Sequence, residues 1–252
     1  MGRISGEEEL LALEVDVIHG LGPGGGDGSS RVTDPSVRAV VAWSPGARVL
    51  ALGAEGSRGS RALRDADGFG DLGDLGDAGQ AYAPGEPPEV LVRIAAACAA
   101  AGDPASLRGG PCFTFPERLG ADFPSPLPLL LSDAEGRSAA RELARPDNWQ
   151  PGEWAELISG AAGEWAMAVR DGSPVSICHT PAANGRAAEA GIWTRADFRG
   201  RGLAPAAVAA WSRRARLGKE VLFYSTTADN HASRSVARTL GLAPLGWIWT
   251  VR

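Results

Sequence analysis

A glycine- and arginine-rich stretch in the C-terminal half of the chain has residue types that can hold a phosphate group. Its sequence is Arg199-Gly200-Arg201-Gly202-Leu203-Ala204, and it joins a predicted strand to a predicted helix. Glycines let the backbone approach a ligand closely, and the first N–H groups of a helix are unpaired and carry partial positive charge. The two arginines add full charge. The stretch therefore predicts a pyrophosphate site that needs no metal ion.

Other phosphate-binding loops fit the sequence less well. A dinucleotide-binding loop needs Gly-x-Gly-x-x-Gly, with an acidic residue after the next strand. Here Pro205 stands in the place of the third glycine, and the next strand ends without such an acid until Asp229. Two further glycine-rich stretches, 20–30 and 65–77, are predicted to be loops. The first lacks the Gly-Lys-Ser/Thr of a P-loop, and the second resembles a calcium-binding turn only faintly.

Apolar periodicity and turn residues predict the elements that position these residues. The predicted helices are 89–101, 134–144, 151–159, 203–217 and 230–240. The predicted strands are 38–43, 48–52, 111–115, 127–131, 165–170, 175–179, 189–194, 220–227 and 245–251. Turn residues at 44–47 and 171–174 predict two hairpins. Strands that alternate with helices from residue 127 onward predict a mixed sheet covered by helices.

Three features of the C-terminal half together resemble the GCN5-related N-acetyltransferase (GNAT) superfamily. The family's acyl-CoA motif is Arg/Gln-x-x-Gly-x-Gly/Ala, and the stretch Arg199–Ala204 matches it at every position. After the next strand come Asn230, Ser233 and the helix end Leu240-Gly241-Leu242, which resemble a second family feature. The strand that Glu189 leads into resembles the family's fourth strand.

The resemblance implies a fold and a division into domains. It covers about half of the chain, residues 126–252, for which it implies a GNAT-like splayed mixed sheet flanked by helices. Residues 1–125 are expected to form a smaller, divergent α/β domain. The whole chain is therefore expected to belong to the mixed α/β class. Members of the family usually have two strands after the last helix, whereas the residues that follow Leu242 are enough for only one strand. We therefore expect the N-terminal half to cover the open sheet edge or to supply a strand to it.

The resemblance also implies which residues bind the cosubstrate, acetyl-CoA. Backbone N–H groups at 201–204 would hold the pyrophosphate, the strand at 192–194 would pair with the pantetheine arm, and Asn230 would bond this arm from its other side. Asn230 also suits a plain helix N-cap. The full predicted set is Ile192, Trp193, Thr194, Arg199, Gly200, Arg201, Gly202, Leu203, Ala204, Asn230 and Ser233.

Acetylation of an amine needs a base, and two residues are candidates for this role. Glu189 is the first, because it is a carboxylate beside the expected splay; it also fits a solvated charge at a strand end. His179 is the second, because an ordinary imidazole titrates near neutral pH; it also fits a structural residue beside Cys178. Many family members carry a tyrosine acid seven residues after the asparagine, where this chain has Ala237. Tyr224 is interpreted as a packed strand aromatic.

Composition argues against several classes of function. The 252 residues include 25 Lys and Arg against 30 Asp and Glu, a formal net charge of −5. That balance argues against a mainly electrostatic nucleic-acid binder. No apolar run approaches the ~20 residues that span a bilayer, and no signal-peptide pattern is present. Three widely spaced cysteines give no zinc or disulfide pattern. We therefore expect a cytoplasmic protein without metal, nucleic-acid or membrane partners.

These observations support one function and one alternative. The prediction is an N-acetyltransferase that moves an acetyl group from acetyl-CoA to a primary amine by direct attack of the amine on the thioester. The alternative is a non-catalytic module that binds or senses acyl-CoA, which the missing tyrosine favours slightly. The sequence leaves open which amine accepts the acetyl group and whether the protein is a monomer or a homodimer.

Overall fold

The computed structural model describes residues 6–22, 30–53, 80–103 and 105–252. Within these ranges the helices are α1 (Glu7–His19), α2 (Glu89–Ala100), α3 (Ala134–Ala140), α4 (Pro151–Ser159), α5 (Leu203–Ala215) and α6 (His231–Leu240). The strands are β1 (Leu21–Gly22), β2 (Ser30–Val32), β3 (Ala39–Trp43), β4 (Arg48–Leu52), β5 (Leu107–Thr114), β6 (Leu129–Leu131), β7 (Trp165–Arg170), β8 (Ser173–His179), β9 (Ala187–Glu189), β10 (Gly191–Thr194), β11 (Val221–Ser225) and β12 (Ala243–Val251). The predicted mixed α/β class is confirmed. The glycine-rich stretch 65–77 lies outside the described residues, as does most of 20–30.

The chain divides into two compact units. The first unit contains Met1–Cys112, Ser225–Asn230 and Pro244–Arg252, and the second contains Phe113–Tyr224 and His231–Ala243. The domains 1–125 and 126–252 stay a prediction.

The sheet of the first unit takes strands from both ends of the chain. Its order is β1-β2-β4-β3-β12-β5. The predicted hairpin at 44–47 joins β3 to β4, and β12 runs antiparallel to β3, from the pair Trp247–Trp43 to the pair Val251–Ala39. The expectation that the N-terminal half supplies a strand beside the C-terminal one is therefore confirmed.

One face of this sheet packs against α2. The helix buries one stripe, which includes Leu91, Ile94 and Cys98, against Trp249 and Val251 of β12. Alternate residues of a strand point to opposite faces, so the neighbours of Trp249 and Val251 along β12 point away from α2. Cys98 is a core residue, as predicted.

The second unit contains a four-stranded antiparallel sheet with the order β10-β8-β7-β6. The predicted hairpin between β7 and β8 turns at Asp171 (φ 49°) and Gly172 (φ 71°). Both residues lie in the left-handed region, which matches the twist of a two-residue hairpin. Beside this sheet, β9 runs parallel to β11.

The strand predicted at 189–194 is two strands, because the chain changes its pairing partner. β9 pairs with β11, up to the pair Glu189–Phe223, whereas β10 pairs with β8, from the pair Gly191–His179 onward. Ala190 lies between the two strands, and its N–H donates to the carbonyl oxygen of Phe223 (3.0 Å). The predicted single strand is therefore two strands with a bend between them, one paired with β11 and the other with β8.

Two helices end two or more residues earlier than predicted. α3 ends at Ala140 rather than at residue 144, and the N–H of Ala144 donates to the carbonyl oxygen of Gly172 in the hairpin turn (3.0 Å). α5 ends at Ala215 rather than at residue 217, and the N–H of Gly218 donates back to the carbonyl oxygen of Ala215 (3.1 Å).

Helices cover both faces of the four-stranded sheet. On one face, α3 and α4 pack against Trp165, Met167 and Ile177. On the other face, α5 presents a nearly continuous run of small buried residues, Ala206–Ala210, followed by the fully buried Trp211. The indole N–H of Trp211 donates to Oγ1 of Thr180 (3.0 Å). Trp211 therefore fixes α5 on the sheet.

We expect that Trp211→Ala lowers the free energy of unfolding by about 3–5 kcal/mol, because it leaves a large cavity under α5. Trp211→Phe keeps most of the apolar volume and loses the hydrogen bond to Thr180, so its loss is expected to be smaller. Chemical denaturation followed by circular dichroism measures both variants. A change below about 0.5 kcal/mol for Trp211→Ala, the level typical of surface substitutions, would contradict this account of the core.

Candidate functional site

The glycine- and arginine-rich loop leads from β10 into α5. After a short 3₁₀ turn at Ala196–Phe198, the backbone reaches positive φ at Gly200 (72°) and Gly202 (75°). Both values lie in the left-handed region, where a residue with a Cβ would be strained. Gly202 is the N-cap of α5, and no side chain caps the helix there. The first N–H groups of α5 are therefore available to a ligand.

Leu203 anchors this loop to the core. Its side chain is 1% exposed and packs with Ala168 and Val175 of the sheet, with Phe198 against the same cluster. Pro205 lies in the first turn, where its missing N–H costs no helical hydrogen bond. Residues 199–202 are exposed. The loop therefore combines a fixed helix start with an open backbone.

A cavity of about 360 Å³ lies beside the loop and is rich in arginine. Arg195 forms an ion pair with Asp197 (Nε–Oδ1 2.7 Å), and the guanidinium of Arg201 lies 4.8 Å from the ring centre of Phe198. The residues that line the cavity are Arg170, Asp171, Ser173, Arg195, Asp197, Phe198 and Arg201. Three arginines against two aspartates leave a net positive charge, which favours an anionic group.

β10 is an edge strand of the four-stranded sheet, so one side of its backbone faces away from β8. The N–H of Arg195 donates to the carbonyl oxygen of Val175 (2.9 Å), which places the odd-numbered residues of β10 in the hydrogen-bonded pairs with β8. The backbone groups of Ile192 and Thr194 therefore point to the free edge, whereas those of Trp193 point to β8. An extended ligand can add to such an edge as a further strand.

A side-chain contact ties the loop to this edge. Nε of Arg199 donates to the carbonyl oxygen of Thr194 (3.2 Å). The structure thus brings Arg199, the first residue of the glycine- and arginine-rich loop, to Thr194, the last residue of β10. The predicted residues at 192–194 and at 199–204 therefore lie along one continuous piece of the second unit.

Glu189 is buried at the bend between β9 and β10, with an exposed fraction of 6%. Cys178 and Tyr224 are fully buried near it. Burial raises the pKa of Cys178 well above its usual value, and the charge of Glu189 adds to this effect. Burial also raises the pKa of Tyr224, and the nearby side chain of Ser233 partly offsets this rise. Because both thiol and phenol are held in their protonated forms, the bend is a weakly solvated site with one acidic side chain.

His179 lies on the β8 strand opposite Gly191. A Cβ at position 191 would lie 2.6 Å from Cε1 of the imidazole, so glycine is needed for this close approach. Trp149 meets the ring edge-on, with 5.0 Å between ring centres. Burial lowers the pKa of His179 to about 4, although a backbone hydrogen bond with Gly191 acts in the opposite direction. The imidazole is therefore neutral at neutral pH.

The two predicted residues near α6 fall in different units. Ser233 lies in α6 within the second unit, beside Tyr224. Asn230 directly precedes α6 and belongs with the first unit, where its N–H donates to the carbonyl oxygen of Thr227 (3.1 Å). Ala237, which stands where a tyrosine acid is usual in the resembled family, is fully buried.

Sequence reasoning missed three features of this site. Arg170 and Arg195 line the cavity beside the loop, and Tyr224 lies near Ser233. Arg195 comes four residues before Arg199, which is a local signal that could have been used. The positions of Arg170 beside the loop and of Tyr224 near Ser233 depend on contacts between segments that are distant in sequence, and no local sequence pattern indicates them.

Within the described ranges, no group of three or more His, Cys, Asp or Glu side chains could hold a metal ion. Across the same ranges, none of the helices combines the length and the apolar character needed to cross a bilayer. Cys98, Cys112 and Cys178 are buried free thiols.

Comparison with known proteins gives one family match and several distant structural likenesses. Residues 123–243 match the model of the acetyltransferase (GNAT) domain. No curated protein matches the chain. The solved structures that resemble it include a GNAT-family acetyltransferase from Colwellia psychrerythraea (14% identity, 65% of this chain and 62% of that chain, TM-score 0.45). They also include a GCN5-related N-acetyltransferase from Kribbella flavida (21% identity, 64% and 61%, TM-score 0.42). A third is a GCN5-related N-acetyltransferase-like protein from Streptococcus suis (18% identity, 62% and 66%, TM-score 0.41).

The three structural likenesses are too distant to say what this chain binds or acts on. The family match stands on the sequence of residues 123–243, which contain the loop at 199–204, the bend at Glu189 and the helix with Ser233. These residues of the chain are a GNAT acetyltransferase domain.

Proposed function

We propose that this protein transfers an acetyl group from acetyl-CoA to a primary amine. The observation that carries the proposal is the start of α5: an uncapped helix N-terminus behind two left-handed glycines, with Arg201 and Arg195 beside it. Such a group of donors suits a pyrophosphate.

In this proposal, the loop and the free edge of β10 share the binding of acetyl-CoA. Backbone N–H groups of Arg201, Gly202, Leu203 and Ala204 hold the pyrophosphate, with Arg199 and Gly200 shaping the approach. Backbone groups of Ile192 and Thr194 pair with the amides of the pantetheine arm, because they face the free edge. Trp193 and Ser233, which belong to the same unit as the loop, are proposed to contribute to the site. The role of Asn230, which belongs with the first unit, stays a prediction.

The proposed reaction needs a proton acceptor and a path for the leaving thiol. The thioester supplies an activated acetyl group. The amine nitrogen forms a bond to the carbonyl carbon, the carbon–sulfur bond breaks, and the amine proton passes to Glu189, directly or through water. The sulfur leaves as thiolate and takes up a proton. Water is the proposed source of this proton, because burial raises the pKa of Tyr224 and so holds the proton on its phenol.

Glu189 is proposed as the base ahead of His179, since the lowered pKa of His179 makes its imidazole a weak proton acceptor for an ammonium group. A backbone N–H that faces the free edge, such as that of Ile192, would stabilise the negative charge that develops on the thioester oxygen.

The alternative is a non-catalytic module that binds acyl-CoA. The observation that favours it is Ala237, which leaves no phenol at the position where the resembled family usually has one. Binding without turnover over a broad amine panel would support this alternative. We propose further that the protein acts in the cytoplasm as a monomer or homodimer, without a metal or a nucleic-acid partner.

The first test concerns the loop. We expect that Arg201→Glu weakens acetyl-CoA binding about tenfold or more, because a hydrogen bond to a charged group contributes about 1.5–3 kcal/mol. Isothermal titration calorimetry with acetyl-CoA and CoA measures the effect. Arg141→Glu, which makes the same charge change at another exposed position of the second unit, is the matched control. Equal binding by the two variants would contradict the proposed site.

The second test concerns Glu189. Glu189→Gln keeps the shape of the side chain and removes the proton acceptor, so we expect turnover to fall by about 10²–10⁴-fold. Acetyl-CoA affinity should stay within about twofold, because the pyrophosphate is held at the loop. Release of free CoA with a panel of primary amines gives the rate, and Glu156→Gln at an exposed position is the control. Unchanged turnover would remove Glu189 from the mechanism without affecting the binding site.

The third test concerns His179. Its folded pKa lies below the ordinary value of 6.5, so between about pH 4 and 6.5 the unfolded chain binds more protons at this residue than the folded chain. We therefore expect His179 to destabilise the fold progressively as the pH falls through this window. Denaturation of the native protein and of His179→Gln at several pH values measures the difference, and imidazole NMR signals give the pKa. A titration near 6.5 would contradict the burial described above.

A further inference from the structure

The first unit contains a cavity that none of the residues assigned to acetyl-CoA lines. Its volume is about 260 Å³. The end of α1, the strands β5 and β12, and the segment at 225–227 form its walls. The lining residues are Ile18, His19, Ser106, Arg108, Gly109, Gly110, Ser225, Thr226, Thr227, Ile248, Thr250 and Arg252.

Strand alternation explains one wall. Trp249 and Val251 of β12 pack against α2, so Ile248, Thr250 and Arg252 point to the opposite face, where they line the cavity. This wall is therefore apolar at Ile248 and polar at the two positions that follow it on the same face.

Close backbone packing forms a second wall. The N–H of Thr226 donates to the carbonyl oxygen of Pro111 (3.2 Å), and the N–H of Ala228 donates to that of Gly109 (3.0 Å). A Cβ on Gly110 would lie 1.8 Å from the carbonyl oxygen of Thr226, so only glycine allows this approach. The segment that carries the hydroxyl groups of Ser225, Thr226 and Thr227 is thereby held against β5.

His19 is the deeply buried polar group of the cavity, with a side chain that is 4% exposed. Its Nε2 lies 3.5 Å from Oγ1 of Thr250, and its Nδ1 lies 3.9 Å from Oδ2 of Asp34. Burial and the charge of Arg252 lower the pKa of His19 to about 4, although Asp34 acts in the opposite direction. The imidazole is therefore uncharged at neutral pH and adds nothing to the charge of the cavity.

Two arginines, Arg108 and Arg252, carry the charge of the cavity lining, and an ion pair neutralises the charge of Arg252. Arg252 forms an ion pair with Asp34 (Nη2–Oδ2 3.2 Å) and donates to Oγ of Ser36. Arg108 is exposed and has no ion pair with any residue of the described ranges. No aspartate or glutamate lines the cavity. One positive charge is therefore left for a ligand.

We propose that this cavity binds a small monocarboxylate, with its carboxylate on the guanidinium of Arg108 and its apolar part against Ile18 and Ile248. The planar guanidinium matches a carboxylate with two parallel hydrogen bonds. One uncompensated positive charge suits a monoanion better than a phosphate dianion. The volume lies below the about 300–1,000 Å³ of sites for drug-sized ligands, so the ligand is small. The proposal is independent of acetyl transfer.

The test uses the full chain and three monocarboxylates of increasing length: acetate, butyrate and hexanoate. Butyramide is the neutral isostere of butyrate, and inorganic phosphate is the dianion. Binding is measured by isothermal titration calorimetry, and the NMR signals of the His19 imidazole report whether the ligand enters the cavity. We expect affinity to rise from acetate to hexanoate, with a shift of the His19 signals, and butyramide to bind at least about tenfold more weakly than butyrate, which equals ~1.4 kcal/mol.

Arg108→Gln is the decisive variant, because this exposed side chain can be changed without disturbing the core. We expect it to weaken hexanoate binding about tenfold or more. Arg118→Gln, which removes the same charge from an exposed position in the second unit, should bind hexanoate as the native protein does. Three outcomes would overturn the proposal: no binding of any of the three carboxylates, equal loss in the two variants, or tighter binding of phosphate than of hexanoate.

Discussion

The change of pairing partner at Ala190 is the constraint on which the candidate site depends. Before it, β9 lies beside β11, and after it, β10 lies beside β8. A strand that leaves one neighbour exposes the edge by which it was paired, and here that edge carries the backbone groups of Ile192 and Thr194. The same strand leads directly into the loop that begins α5. The free edge and the helix start are therefore both consequences of one bend.

The site has two electrostatic environments along a short stretch of chain. At the loop, Arg199 and Arg201 are exposed, so positive charge is available in water at little desolvation cost. At the bend, Glu189, Cys178 and Tyr224 are buried, and burial favours the uncharged forms of the thiol and the phenol. An anionic ligand is thus attracted at one end, and the proton transfer that we propose lies at the other. A cosubstrate with a charged nucleotide part and a neutral reacting group suits this division.

Local chemistry made the loop, the helices α2 to α6 and the hairpin turns predictable from the sequence, whereas helix α1 was not predicted. The glycines at 200 and 202 and the turn at 171–172 act through the backbone of a few neighbouring residues, so their patterns carry the information. The bend at Ala190 could not be predicted, because only the pairing of β9 with β11 and of β10 with β8 separates the two strands. Trp149 against His179 and Arg170 beside the loop likewise depend on contacts between distant segments. The glycine-rich stretch 65–77 predicts no regular element and lies outside the described residues.

The place of β12 has a consequence for the order in which the chain acquires structure. Its residues 244–251 belong to the first unit and lie between β3 and β5, yet they follow the entire second unit in the sequence. During synthesis, when N-terminal domains commonly fold before the rest has been made, the first sheet lacks an interior strand until residue 251 has emerged. Until then, β3 and β5 each present an unpaired edge. β12 therefore completes the sheet of the first unit, whose other strands are translated before most of the second unit.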